Sequence, residues 1–155
     1  MKLYILRHAD ADTEASSDAA RELSEKGREQ AKKVAHFCAL HGIRPEVVFS
    51  SPLTRAQQTA KPVAKELGIE ITTASWLACG ATAAQILAQL APLKNVSSVI
   101  LVGHQPDLGE LIANLTGMEH DGSINVRKSS LTLLELLLPR SGGARIEFVI
   151  PVKMM

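Results

Sequence analysis

Apolar residues along the chain alternate between short unbroken runs and longer stretches in which they return every third or fourth position, the two periods of strand and helix. Lys2 to Arg7 (KLYILR) reads as a first strand and runs into residues 8 to 22, a polar Asp- and Ser-rich loop without periodicity. A helix follows from a Ser24 cap, with Ala31, Val34, Ala35 and Cys38 on its apolar face and a stop at Gly42. Glu46 to Ser50 (EVVFS) reads as the second strand. Ser51-Pro52 is expected to open the next helix, the serine as cap and the proline at the first position, which puts Arg55 in the first turn. Ala56, Ala60, Val63 and Leu67 keep helical spacing up to Gly68, with Pro62 removing one backbone bond. Ile69 to Thr73 is a short third strand, and Thr82 with Gln85 forms a capping box for a helix through Leu90. Ser98 to Gly103 (SVILVG) reads as a buried strand, followed by a helix capped by Asp107 with Glu110 and closed by Gly117. Leu131 to Leu138 and Ala144 to Ile150 are joined across Arg140 to Gly143, close enough for an antiparallel hairpin. The alternation predicts an α/β protein: a layered α/β/α fold on a mostly parallel central sheet, with the antiparallel hairpin at its C-terminal end.

Bulk properties narrow the function classes. The 155 residues suit one domain spanning 1–155, which buries roughly 70% of its unfolded surface and needs no staples. Of the two cysteines, Cys38 falls on a helix face and Cys79 alone in a loop, the usage of a reducing compartment. The first apolar run, Leu3 to Leu6, is broken by Arg7, His8 and Asp10 and is too short for a signal peptide or membrane span. The expectation is a cytoplasmic monomer that starts at Met1 and has no membrane partner. A net charge of +1 and 3% aromatic residues exclude the basic stripe and stacking rings of a nucleic-acid binder, so any anion site is local.

Three polar positions stand directly after predicted strands: Arg7-His8, Ser51 with Arg55, and His104. Ligands of open parallel sheets bind beyond the carboxyl ends of the strands, so these positions can converge on one pocket. Arginine offers a permanently charged fork of donors matched to phosphate oxygens, and a helix N-terminus adds backbone N–H groups facing an anion. A histidine at the centre has a nucleophilic nitrogen near neutral pH and can take the phosphoryl group covalently. An inorganic phosphate or similar oxyanion is the expected occupant, with no cofactor and no metal.

The motifs carry a family resemblance. Leu6-Arg7-His8-Ala9 resembles the Arg-His-Gly signature of the histidine phosphatase superfamily, also called phosphoglycerate-mutase-like. Leu23 to Gly27 with Gln30-Ala31, then Ser50 to Ala60 (SSPLTRAQQTA), then Val102-Gly103-His104 resemble its further signatures in the family's order. The short length and the Arg-His-Ala-Asp-Ala opening look most like SixA-type phosphohistidine phosphatases. That resemblance implies a phosphoglycerate-mutase-like fold and a metal-independent hydrolase that cleaves protein phosphohistidine through a phospho-His8 intermediate. It further implies that Arg7 and Arg55 clamp the phosphoryl oxygens, that His104 donates to them, and that Arg21 adds a substrate contact. Two departures stand out: position 9 is Ala where Gly is commoner, and no Asp or Glu occurs between Glu70 and Asp107, where many members keep their proton-donating glutamate.

Rival readings are weaker. Asp10-Ala11-Asp12, followed by Thr13, resembles the start of the Asp-x-Asp-x-Thr nucleophile motif of magnesium-dependent haloacid-dehalogenase-type phosphatases, but Arg7-His8-Ala9 separates it from the strand end. A small-molecule phosphomonoesterase of the same superfamily is the first alternative, and a non-catalytic phosphate-binding or docking module is the second. His36 and His41 read as structural, Asp107 as a helix cap, and Asp10 and Asp18 as solvated loop carboxylates.

Overall fold

Successive side chains of a strand point to opposite faces, so the unbroken apolar runs give the central strands two apolar faces, which is why the sheet is covered on both sides. A computed structural model describes residues 1–155, apart from the side chain at position 121. Strands β1 (Lys2–Arg7), β2 (Val47–Ser50), β3 (Ile71–Thr73), β4 (Ser98–Gly103), β5 (Leu131–Leu136) and β6 (Ala144–Ile150) form one sheet in the order β3-β2-β4-β1-β5-β6. The first four strands of that order pair in parallel; β5 pairs antiparallel with both β1 and β6. Helices α1 (Glu25–Leu40), α2 (Thr54–Leu67), α3 (Ala83–Leu90) and α4 (Asp107–Thr116) supply the outer layers.

Tyr4 and Leu6 of β1 with Ile100 and Val102 of β4 point to the side where Val34 and Cys38 of α1 and Ala60 and Val63 of α2 pack. Leu3, Ile5, Val99 and Leu101 point to the other, against Ile86 of α3 and Leu108, Leu111 and Leu115 of α4. The α/β/α layering, the parallel centre and the C-terminal hairpin match the expectation. Ser24 caps α1 by accepting from Gly27 N, and Thr82 with Gln85 forms the full capping box of α3. Gly68 and Gly117 end α2 and α4 in left-handed geometry, as their positions predicted.

The local expectation failed at two helix starts. Helix α2 begins at Thr54, with Leu53 at the cap position and no side-chain cap; Ser51 Oγ instead accepts from Leu53 N at 3.3 Å within the preceding turn. Helix α4 has Pro106 at its cap position, and Asp107 lies inside the helix with its carboxylate turned to another loop. The loop of residues 8–22 is also more ordered than its composition suggested. It holds a 3₁₀ turn at Asp18–Ala20, and Ala11 bridges Leu23.

Candidate active site

The β2-β4-β1 order sets three strand ends side by side. Ser50 is level with Val102, and Arg7 with Gly103, and the ladder bonding continues one residue further. Ser51 N donates to Val102 O at 2.9 Å and His8 N donates to Gly103 O at 3.0 Å. His8 and His104 therefore leave neighbouring strands at one level, with ring centroids 5.1 Å apart. Arg7, Arg55 and Ser51 complete the cluster, so the positions expected to converge do so.

Each imidazole has one nitrogen engaged. His8 Nδ1 lies 2.7 Å from Ala9 O, and a carbonyl can only accept, so Nδ1 carries the proton and the Nε2 lone pair is free. His104 Nε2 lies 2.8 Å from Ser51 Oγ, while its Nδ1 is buried without a partner. Burial pushes His8 down to about 4 against the pull of the Ala9 carbonyl, and the charges of Arg55, Arg7 and Lys128 push the same way. Burial, then the His8 ring and Arg55, pushes His104 down to about 3. Both rings are neutral at pH 7.

Arg7 donates through Nη1 to Val126 O at 2.9 Å, and its Nε is buried with no partner. Arg55, 4% exposed in the first turn of α2, donates through Nη1 to Asp18 O at 2.7 Å and through Nη2 to Asp18 Oδ2 at 3.1 Å. Its Nη2 also lies 3.5 Å from Cys79 Sγ. Arg21 sits in the same loop rather than over the histidines, donating to Asp12 O at 2.7 Å and to Asp18 Oδ1 at 3.1 Å. Asp18 is thus not a free solvated carboxylate: it bridges Arg21 and Arg55, whose hydrogen bonds hold it below the usual carboxylate range.

Asp10 is likewise tied down. It pairs with Lys128 at 2.6 Å and accepts from Ser24 Oγ at 2.7 Å, and these bonds also hold it below the usual range. Asp107, expected as a cap, accepts from Gly80 N at 2.8 Å and Ala81 N at 3.2 Å, fastening the Cys79-Gly80 loop to the start of α4. His41 packs on Phe37 with centroids 4.3 Å apart, on α1's far end. Among the described residues no group of three or more His, Cys, Asp or Glu side chains is gathered as a metal site would need.

Several positioning residues were given no role from the sequence, although Gln30, Gln58 and Thr59 stand within the quoted motifs. Thr59 Oγ1 accepts from Ala9 N at 3.0 Å and donates to Arg55 O at 2.7 Å, joining the His8 segment to the helix that carries Arg55. Its signal was a threonine on the apolar face of a helix, one turn beyond Arg55. Gln30 accepts from Asp10 N at 2.9 Å and Gln58 from Leu23 N at 2.7 Å, so both ends of the loop are held by helix side chains. Ser129 N donates to Arg7 O at 3.1 Å. Lys128 and Ser129 reach the site from a distant loop and had no local signal.

The surroundings can bind an anion and attack it: Arg7 Nε and His104 Nδ1 are buried without partners beside a neutral imidazole with a free lone pair. Comparison with known proteins agrees. The family model of the histidine phosphatase superfamily (branch 1) matches residues 3–78. An uncharacterized protein of Picosynechococcus sp. is 35% identical over 152 residues, covering 95% of this chain and 89% of that protein. The phosphohistidine phosphatase SixA of Escherichia coli is 32% identical over 120 residues, 74% of each chain. A solved structure of the protein histidine phosphatase SixA complexed with tungstate superimposes with a TM-score of 0.89 at 27% identity, covering 99% of this chain and 98% of that one. With the family model, the relatives and the fold in agreement, the chain belongs to the histidine phosphatase superfamily.

Proposed function

We propose that this phosphatase hydrolyses phosphohistidine on proteins, without a metal, through a phosphoryl group carried on His8 Nε2. The observation that carries the reading is the hydrogen bond from His8 Nδ1 to Ala9 O, which leaves Nε2 unprotonated beside Arg7, Arg55 and His104. Two of these neighbours hold buried donors without a protein partner, Arg7 Nε and His104 Nδ1, and a phosphoryl oxygen is the kind of acceptor that satisfies them. In the first step the Nε2 lone pair attacks phosphorus, the P–N bond to the substrate ring breaks, and that ring departs with a proton. In the second, water attacks the phospho-His8, phosphate leaves, and His8 recovers its lone pair. Arg7 and Arg55 hold the equatorial oxygens in both steps, His104 donates to them, and Arg21 adds a substrate contact.

The relative named a phosphohistidine phosphatase supports the substrate class, and the SixA structure complexed with tungstate supports an oxyanion as a ligand. No helix among the described residues is long and apolar enough to cross a membrane. Acid-free quenching with labelled substrate should trap a phosphoramidate on His8, labile in acid and stable in alkali, in the presence of chelator as in its absence. Label on Asp10, or activity abolished by chelator, would overturn the reading.

A further inference from the structure

The outer faces of α1 and α2 enclose a groove of about 380 Å³ beside the active site. Its floor is apolar: Leu23 and Ala31, each 1% exposed, and the ring of Pro62. Its sides are cationic, with Arg28 and Lys32 on α1 and Lys61 and Lys65 on α2. Each pair is spaced four residues apart, so it lies on one helix face, and the two rows oppose each other across the groove. Like charges at that spacing disfavour both helices, and two such rows disfavour their packing, so helix stability does not explain them. Arg28 lies 3.7 Å from Glu22 and Lys32 lies 2.7 Å from Glu29, but Lys61 and Lys65 form no ion pair among the described residues.

The groove is continuous with the catalytic loop. Gln58, at its end, accepts from Leu23 N at 2.7 Å, and the next residue, Thr59, accepts from Ala9 N at 3.0 Å, directly after His8. A chain lying in the groove would therefore lie against Leu23, at the end of the loop that begins at His8. Net charge over the whole molecule is only +1, so this concentration of cations is local. We infer that the groove docks an acidic segment of the phosphohistidine-bearing protein, its apolar side chains on the floor and its carboxylates between the two cationic rows. This rests on the function proposed above and adds a recognition surface to it: the cations steer and hold the carrier, and the small site beyond them cleaves the P–N bond.

The test is steady-state hydrolysis by the wild type and the Lys61→Glu/Lys65→Glu double variant, on a histidine-phosphorylated phosphotransfer domain with an acidic surface and on para-nitrophenyl phosphate. Neither lysine belongs to the catalytic machinery, and unchanged activity on the small ester reports an intact site. The expected result is a KM for the carrier raised about tenfold with kcat unchanged, and a salt dependence of KM weaker than the wild type's. An unchanged carrier KM, or equal loss on both substrates, overturns the docking surface and leaves the proposed function standing. A charge reversal that changes the sedimenting species but not the carrier KM also overturns it, since the groove then joins copies of this chain. A wild type that cleaves para-nitrophenyl phosphate but no carrier overturns the function itself, and the docking surface with it.

Discussion

His8 owes its chemistry to two local constraints: the Ala9 carbonyl selects one tautomer, and burial, against the pull of that carbonyl, keeps the ring neutral. A histidine in an unfolded chain takes its proton near about 6.5, whereas folded His8 does so at about 4 and His104 at about 3. Between pH 6.5 and 4 the unfolded state therefore binds more protons, so the stability these rings contribute is present above that window and is lost as pH falls through it. Ring ¹⁵N spectra should show the His8 and His104 rings still neutral at pH 5, and replacing His8 should remove one of these neutral signals. A full complement of protonated rings at pH 5 would contradict the placement of both. Asp18 gives a second expectation. Its carboxylate and carbonyl occupy the Arg55 fork that a phosphoryl group is proposed to use, so an anion has to compete with it. Since an ion pair open to solvent on one side is worth under about 1 kcal/mol, Asp18→Asn should tighten vanadate inhibition by at most about fivefold. Weaker inhibition would mean that Asp18 serves chiefly to orient Arg55.

The elements matter through what they fasten together. Helix α2 carries Arg55 and, one turn on, Thr59, and through Thr59 it grips the residue after His8. Thr59→Val keeps the shape but leaves Ala9 N buried without an acceptor, a loss of about 1–3 kcal/mol. Urea unfolding should register that loss, and kcat should fall with it because His8 is no longer held against Arg55; an unchanged midpoint would refute the clamp. Helix α1 approaches just as closely. A Cβ at Gly27 would collide with the carbonyl of Asp10, so only glycine lets the catalytic loop lie against the first turn of this helix. Helix α4 contributes Asp107, which ties down the Cys79-Gly80 loop instead of capping its own helix.

In the molecule as a whole, the sheet order brings the two histidines and two arginines together but, among the described residues, brings no free carboxylic acid with them. Asp10 and Asp18, the acidic residues of the catalytic loop nearest the site, are both held below the usual carboxylate range by cations and so carry no proton at pH 7. An alkyl phosphate needs its departing alkoxide protonated in the transition state, and an enzyme without a placed acid handles it badly. Phosphohistidine is different, since the second nitrogen of its ring titrates near about 6.5 and can be protonated from solvent before the P–N bond breaks. Phosphohistidine and aryl phosphates should therefore turn over far faster than sugar or glycerate phosphates. Equal rates at saturation would instead favour a small-molecule phosphomonoesterase.

Much of this was legible in the linear pattern. Strand and helix periods are local properties, so β1, α1, β4 and the C-terminal hairpin could be read directly, as could the Ser24 cap and the Thr82–Gln85 box, whose partners lie within one turn. The residue types at the strand ends, Arg7-His8 and Gly103-His104, announced phosphoryl chemistry before any distance was known. The pattern failed where a polar side chain had both a local and a distant partner. Ser51 and Asp107 each had the sequence of a helix cap, yet Ser51 turned to His104 and Asp107 to Gly80 and Ala81. Asp18 looked like a solvated loop residue until folding set it on Arg55, 37 positions away. Local spacing carries no information about which partner wins, because that depends on which strands become neighbours. The insertion of β4 between β1 and β2 is a long-range outcome of packing apolar faces, and it alone sets His104 beside both His8 and Ser51.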